Sequence, residues 1–342
     1  MTDLTDFAFG HLDRMSDERG LFEHAEGAIR REEHGYCTDD NARLLLVSAR
    51  ELDNQVAHRL GRLALKFVLE AQAPDGSCRN RMDRVGRWTD EASTNDCWGR
   101  SLMGLGVAAA QHPDPSIRSQ ALAAFNRGGT ARSTWPRAMA FAAVGAVEVV
   151  AADPGHRAGR ALLADTLDVI RQVGPLETDA STDWRWPEAR LSYANATLAE
   201  AVIGAGAALE RSVDIERGLA MLEWLLELET TRGHLSVVAV GGRGPGDSSP
   251  RFDQQPIEAS AMADACSRAF AVTGDATWSR GVTVATRWFT GNNDSGLQMY
   301  NSLSGGGFDG LHADAVNRNQ GAESTLAFIS TMQRSRELAL SR

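Results

Sequence analysis

The sequence predicts an all-α protein, an (α/α)6 toroid of six helical hairpins in a single domain over residues 1–342. Three observations carry this expectation. Apolar residues recur at i, i+3, i+4 and i+7 along most of the chain. The periodic stretches alternate between nearly uncharged ones and ones charged along a single face. Long polar connections alternate with short turns in the same rhythm.

A short helix near 3–15 precedes periodic stretches at 41–53, 57–72, 97–111, 116–127, 135–152 and 156–173. The pattern continues at 193–210, 214–230, 256–273, 276–290 and 322–340. Stretches beginning near 41, 97, 135, 193, 256 and 322 are rich in Ala, Gly, Ser and Leu, as in AMAFAAVGAVEVVAA (138–152). A helix apolar on nearly all sides is buried, and its small residues let neighbours approach closely. The helices between them, such as VAHRLGRLALKFVLEAQ (56–72), carry charge on one face and read as an outer layer. Six inner–outer pairs closing on themselves make the toroid; an open helical solenoid is the competitor.

Connections leaving the inner helices are turns such as HPDPS (112–116), ADPGH (152–156) and TGDAT (273–277). Connections entering them are long and polar: 16–40, 73–96, 174–192, 231–255 and 291–321. Loops this long in a compact domain are usually functional, and here they fall at one end of the ring. The segment HLSVVAVGG (234–242) reads as a short strand or a buried loop. No buried β-branched runs alternate with the helices, so no parallel sheet is expected.

Composition narrows the function. A hydrophobic fraction of 43% with 23% charged residues is that of an ordinary globular chain rather than a disordered one. The net charge of −10 repels phosphate backbones and anionic lipid, which argues against nucleic-acid and membrane partners. No apolar run reaches spanning length and no signal-peptide pattern opens the chain, so a cytoplasmic protein is expected. Cys37, Cys78, Cys97 and Cys266 form no metal-binding spacing and read as reduced thiols. No nucleotide-binding glycine loop is present, and neither a cofactor nor a metal is expected.

Five segments sit where a long loop enters an inner helix. GYCTDDNARLLL (35–46) offers Tyr36, Asp39, Asp40, Asn41 and Arg43. One carboxylate there would suffice as an N-cap; two, with their neighbours, exceed that need. STNDCWGRSLMGLG (93–106) offers Asp96, Trp98 and Arg100. DWRWPEARLSYANATLAEA (183–201) offers Trp184 and Trp186 as sugar-stacking platforms, with Glu188 and Asn195 as polar partners. FDQQPIEASAMADA (252–265) offers Asp253, Gln254, Gln255 and Glu258. DGLHADAVNRNQGAES (309–324) crowds Asp309, His312, Asp314, Asn317, Asn319, Gln320 and Glu323 into one loop. Each site residue has a bland alternative as a cap, a buried aromatic or a solvated loop residue. Together the junctions place carboxylates at equivalent points of successive hairpins, where a closed ring would bring them to one cleft. Glycoside hydrolysis commonly needs two carboxyl groups flanking the bond.

Four strings resemble a known group: HGYCTDDNARLLL, NDCWGRSLMGLG, FDQQPIEASAMADA and DGLHADAVNRNQGAEST. They look like bacterial proteins of the six-hairpin glycosidase-like superfamily, over about residues 20 to 330. Relatives often occur fused to, or labelled as, group-1 glycosyltransferases, and some are encoded beside β-mannoside phosphorylases. The resemblance implies the toroid fold and an association with a glycosyltransferase. Two departures remove charge: YANATL stands where relatives carry a YDNARL-like string, and TND where they carry SED-like text.

The leading expectation is an inverting glycoside hydrolase acting on a small or oligomeric β-linked sugar, with β-mannosides among the candidates. Glu258 or Glu323 would be the general acid and Asp40 or Asp96 the general base. Four alternatives remain open. One is a sugar epimerase, for which similar toroids pair histidines; His34 and His312 could meet. A second is a phosphorylase with Arg43, Arg100 or Arg137 on phosphate. A third is a lyase using Tyr36 or Tyr193 with His312. The last is a non-catalytic sugar-binding module.

Overall fold

In a computed structural model, described for residues 4–173, 184–248 and 250–340, six helices form an inner ring. They are α2 (Thr38–Ala49), α4 (Asp96–Gln111), α6 (Pro136–Ala152), α8 (Ala196–Ala208), α10 (Pro256–Thr273) and α12 (Ala322–Leu340). Each packs on the next, and α12 packs back on α2. That last contact excludes the open solenoid. The outer helices α3 (Gln55–Ala71), α5 (Pro115–Gly128), α7 (Arg157–Val173), α9 (Ser212–Leu228) and α11 (Ala276–Phe289) each fold back on the inner helix before them. The sixth outer place is filled by α1 (Leu4–Arg14), which packs on α12 and α3. The architecture is the (α/α)6 toroid.

Composition sets the two layers. In α6 thirteen of seventeen residues are buried, as its near-absence of charge requires. In α7 burial is confined to one stripe of Gly159, Leu162, Leu163, Thr166, Leu167 and Ile170. Glycines set the inner spacing. A Cβ on Gly106 would come within 2.2 Å of the Gly145 carbonyl oxygen, so α4 and α6 touch through bare backbone.

Capping also divides the layers. The outer helices α3, α5 and α11 begin with Asn54, Asp114 and Asp275, whose side chains accept from Ala57, Ser116 and Thr277 backbone N–H groups. The inner helices α2, α4, α6, α8 and α10 have no side-chain bond from their N-cap residue. The entrances of α2, α8 and α12 are served from elsewhere. Asn80 accepts from Thr38 N–H (3.1 Å), Glu258 from Asn195 N–H (3.2 Å) and Asp309 from Gly321 N–H (2.8 Å). Asp40 accepts from Cys37 and Arg43, and Asp96 from Tyr193, so neither carboxylate is spent as a cap, the bland alternative for both.

Four two-residue antiparallel ribbons lie in the long connections: Ala25–Glu26 with Ile29–Arg30, Tyr36–Cys37 with Arg81–Met82, Thr230–Thr231 with His234–Leu235, and Gly310–Leu311 with Val316–Asn317. The 234–242 segment is thus a strand only at His234–Leu235; Val237, Val238 and Ala239 follow as buried loop. Part of the connection expected at 174–192 lies outside the described residues. All four cysteines are free and buried. No helix of the described residues is long and apolar enough to cross a membrane.

Candidate active site

The loop end of the ring opens into a polar cavity of about 440 Å³. The first turn of α2 contributes Asp39 and Asp40, with Arg43 one turn further in; α4 contributes Asp96 and Arg100. The approaches to α10 supply Asp253 and Gln255, and the approach and first turn of α12 supply Asp309 and Glu323. These nine expected residues are brought together by the ring.

Arginines organise the floor. Buried Arg43 donates to Asp40 (2.5 Å) and to Glu323 (2.7 Å). Arg100 lies 3.5 Å from Asp39 and stacks over Phe141 at 3.9 Å. Arg81 pairs with Glu23. Seven carboxylates against three arginines leave the cavity acidic, and each arginine already has a carboxylate partner. That balance disfavours a phosphate-holding site.

Burial tunes the acids. It pushes Asp40 up to about 6, with Arg43 opposing and the Glu323 and Glu23 charges adding. Asp253 is likewise raised by burial, with His312 opposing. Its Oδ1 is buried without a hydrogen-bond partner, and Gly310 leaves it room: a Cβ there would lie 2.1 Å from that oxygen. Asp309 is raised by burial, partly offset by bonds from Ser324 and Gly321. Asp96 accepts from the Tyr193 hydroxyl at 2.7 Å. Burial, then that bond, hold the Tyr193 phenol above its usual range, so it remains a donor. The atoms of Glu23, Cys37 and Asp40 lie within 4.8 Å of one another and could hold a metal ion. Ligation would need the Cys37 thiolate, yet burial raises that thiol and it donates to Asp40 at 3.1 Å.

The remaining expected residues stand elsewhere. Glu258 does not line the cavity: it is buried, and its carboxylate accepts from Ala194 N–H, Asn195 N–H and the Asn195 amide. Asn195 also accepts from Ser192 N–H (2.9 Å), and Asn41 ties Leu21 to the start of α2. Tyr36 is buried, stacks on Phe22 and donates to Asp17 (2.7 Å). Trp98 is buried and donates to the Gly128 carbonyl (3.0 Å). Gln254 binds Asp294 (2.7 Å), Asn319 accepts from Gly27 N–H (3.0 Å), and Gln320 accepts from Ser304 (2.5 Å). His312 does not line the cavity, although its charge acts on Asp253. Trp186 is buried on Trp224, with Trp184 edge-on to the same ring; with Glu188 they wall a separate groove. A buried junction residue and a cavity-facing one look alike in sequence, because both are polar groups at a helix start.

Asn317, one of the crowded polar residues of the 309–324 loop, lines the cavity too; sequence reasoning missed Glu23, His24, Cys37, Arg81 and Ser324, and placed Tyr193 only in a lyase alternative. Glu23, His24 and Arg81 come from the loops before α2 and after α3, whose many charged residues, as in EHAEGAIRREEH (23–34), give no sign of which ones turn inward. His24, not His312, meets His34, with ring centroids 4.9 Å apart.

The fold and this acidic mouth place the chain among helical toroids. Three solved structures are similar over nearly their whole length. A sugar epimerase from a ruminal bacterium has a TM-score of 0.69 and 12% identity, covering 98% of this chain and 96% of that one. The cellobiose 2-epimerase of Bacillus thermoamylovorans B4167 has 0.68 and 12%, covering 97% and 99%. A GH76 alpha-mannanase of Bacteroides thetaiotaomicron has 0.66 and 10%, covering 100% and 98%. No family model matches the sequence, and no curated protein matches it. At these identities the likeness establishes the fold.

Proposed function

We propose that the protein is a carbohydrate-processing enzyme, a glycoside hydrolase working by single displacement with inversion on a β-linked sugar, with β-mannosides the first candidates. The observation that carries this reading is the placement of Asp96 and Asp253 in one cavity. In the ring order α2, α4, α6, α8, α10, α12, the helices they introduce stand opposite each other. Carboxyl groups on opposite walls suit inversion, which needs roughly 6.5–9.5 Å between them for a sugar and a water.

Asp253, raised by burial and with an unpartnered oxygen, is suited to donate its proton to the leaving glycosidic oxygen. Asp96, held by Tyr193, is suited to take a proton from water as that water attacks the anomeric carbon. The C–O bond to the leaving group breaks as the new C–O bond forms. The names of the structural neighbours support a saccharide substrate. Glu258, saturated by three hydrogen bonds, is not retained as the acid.

A second reading, sugar epimerisation, is favoured by one observation: His24 lines the cavity beside His34. A panel of β- and α-linked manno- and gluco-oligosaccharides, followed by NMR, separates the two. Reducing sugar released with inverted configuration supports hydrolysis. A product of unchanged length with one inverted carbon supports epimerisation and overturns hydrolysis.

A further inference from the structure

Beside the cavity lies a second pocket of about 460 Å³, walled by Asn95, Asp96, Trp135, Arg137, Glu188 and Tyr193. Asp96 and Tyr193 belong to both, so the two spaces share a wall at the proposed general base. Trp135 is 61% exposed, and among the described residues its indole N–H donates to no acceptor. Its backbone is nevertheless fixed. Trp135 N–H donates to Ser133 Oγ (3.0 Å), its carbonyl accepts from Met139 N–H (3.1 Å), and Pro136 opens α6 behind it.

The polar walls are also set before any ligand arrives. Buried Arg137 donates to the Tyr193 carbonyl, to Glu188 and to Asn195 Oδ1 (3.2 Å), and it lies 4.9 Å over the Tyr193 ring. Glu188 also accepts from Trp186 (3.2 Å). The side chain of Asn95, the N-cap of α4, makes no capping bond and is left for other use. An exposed, backbone-anchored indole above fixed hydrogen-bonding groups matches a pyranose. The ring offers an apolar C–H face to the aromatic, and hydroxyls at its rim to the amide, guanidinium and carboxylate.

We propose that this pocket is a sugar subsite with Trp135 as its stacking platform. The substrate is then an oligosaccharide spanning both pockets, with the bond to be cleaved near the Asp96–Tyr193 wall. The proposal rests on the carbohydrate reading above and adds the length of the substrate to it.

The test is calorimetric binding to Asp253→Asn protein of β-1,4-linked manno- and gluco-oligosaccharides and α-1,6-linked manno-oligosaccharides, from one to four units. The expected result is a tetrasaccharide bound about tenfold tighter than the disaccharide, the effect of one good stacking contact. Adding Trp135→Ala should bring that ratio close to one, and Trp135→Phe should restore most of it. Circular dichroism melting checks that each variant is folded. A length dependence that survives Trp135→Ala overturns the proposal. So does binding of short sugars with no length dependence, which leaves the carbohydrate reading standing. If no sugar in the panel binds, both fall.

Discussion

Arg43 reaches across the seam of the ring to Glu323, 280 residues later in the chain, with Nη2 2.7 Å from the carboxylate. Its Nη1 holds Asp40 on its own helix. The floor of the cavity and the closure of the toroid are thus one interaction. Glu323 is partly exposed and would lose little without the arginine, whereas Asp40 is buried and would be left unpaired.

Arg43→Met is expected to destabilise the protein by about 3–5 kcal/mol near neutral pH, the usual cost of stranding one member of a buried pair. Losing the arginine raises the Asp40 pKa beyond about 6, so the carboxyl can take a proton and relieve part of that cost in acid. Urea midpoints should therefore show a smaller loss at pH 5 than at pH 8. An equal loss at both would mean that Asp40 is not the stranded group.

Glu200, buried on α8, is raised to about 7 by burial and then by the Asp264 charge, and its Oε1 has no hydrogen-bond partner. Burial alone would raise Asp264 too, but Arg334 and Arg50 hold it low and charged. A carboxyl whose folded pKa exceeds its unfolded value favours the native state below the unfolded value, about 4.3. That stability is lost as pH rises through the folded value. Wild-type stability should fall between about pH 4.5 and 7.5 through this group. Glu200→Gln removes the fall and should be the more stable protein at pH 8 by on the order of 2 kcal/mol. A variant no more stable at pH 8 than at pH 5, relative to wild type, would count against the assignment.

Asp96→Asn and Asp253→Asn should lower turnover by about 10²–10⁴ while leaving the melting temperature nearly unchanged. Glu258→Gln should do the reverse. An amide oxygen cannot accept all three bonds that the carboxylate does, so a loss of about 1–2 kcal/mol is expected with little change in turnover per folded molecule. Full activity in both aspartate variants would remove the hydrolase reading.

Gly106→Ala forces a methyl into the Gly145 carbonyl, where neither backbone can yield without shifting α4 against α6. The expected cost is about 1–3 kcal/mol, as for other overpacked cores. Thermal melting checks it; a neutral effect would show that the inner helices can separate freely.

EDTA should leave activity intact, since the Cys37 thiol is committed to Asp40. Loss of activity restored by a divalent ion would instead assign Glu23, Cys37 and Asp40 as a metal centre.

The toroid was legible because its two layers differ in composition along the whole chain. AMAFAAVGAVEVVAA has no polar face to show solvent, and its neighbour α7 has one. The site was legible only as a set of junctions. Asp96 and Glu258 both stand in the first turn of their helices, yet one meets the cavity and the other the backbone of the preceding hairpin. Asp96 is the first residue of α4 and Glu258 the third of α10, and two positions turn a side chain by about 200° around a helix; which of those directions faces the cavity depends on packing with residues far away in sequence. Trp135 went unremarked for a related reason. Trp184 and Trp186 came with polar neighbours, but Trp224 claims both, while the isolated Trp135 has no such partner among the described residues.

The seam through Arg43 and Glu323 also bears on how the protein is made. On the ribosome α2 emerges early, carrying Asp40 and Arg43, while the residue that completes their charge arrangement follows 280 positions later. Until α12 is available, the first inner helix has one flank without its neighbour and an arginine paired on one side only. Contacts of such separation form slowly, because a long loop must close before it is rewarded. The nascent chain can thus gather most of its hairpins in sequence, but the acidic mouth is completed only in the last step of assembly.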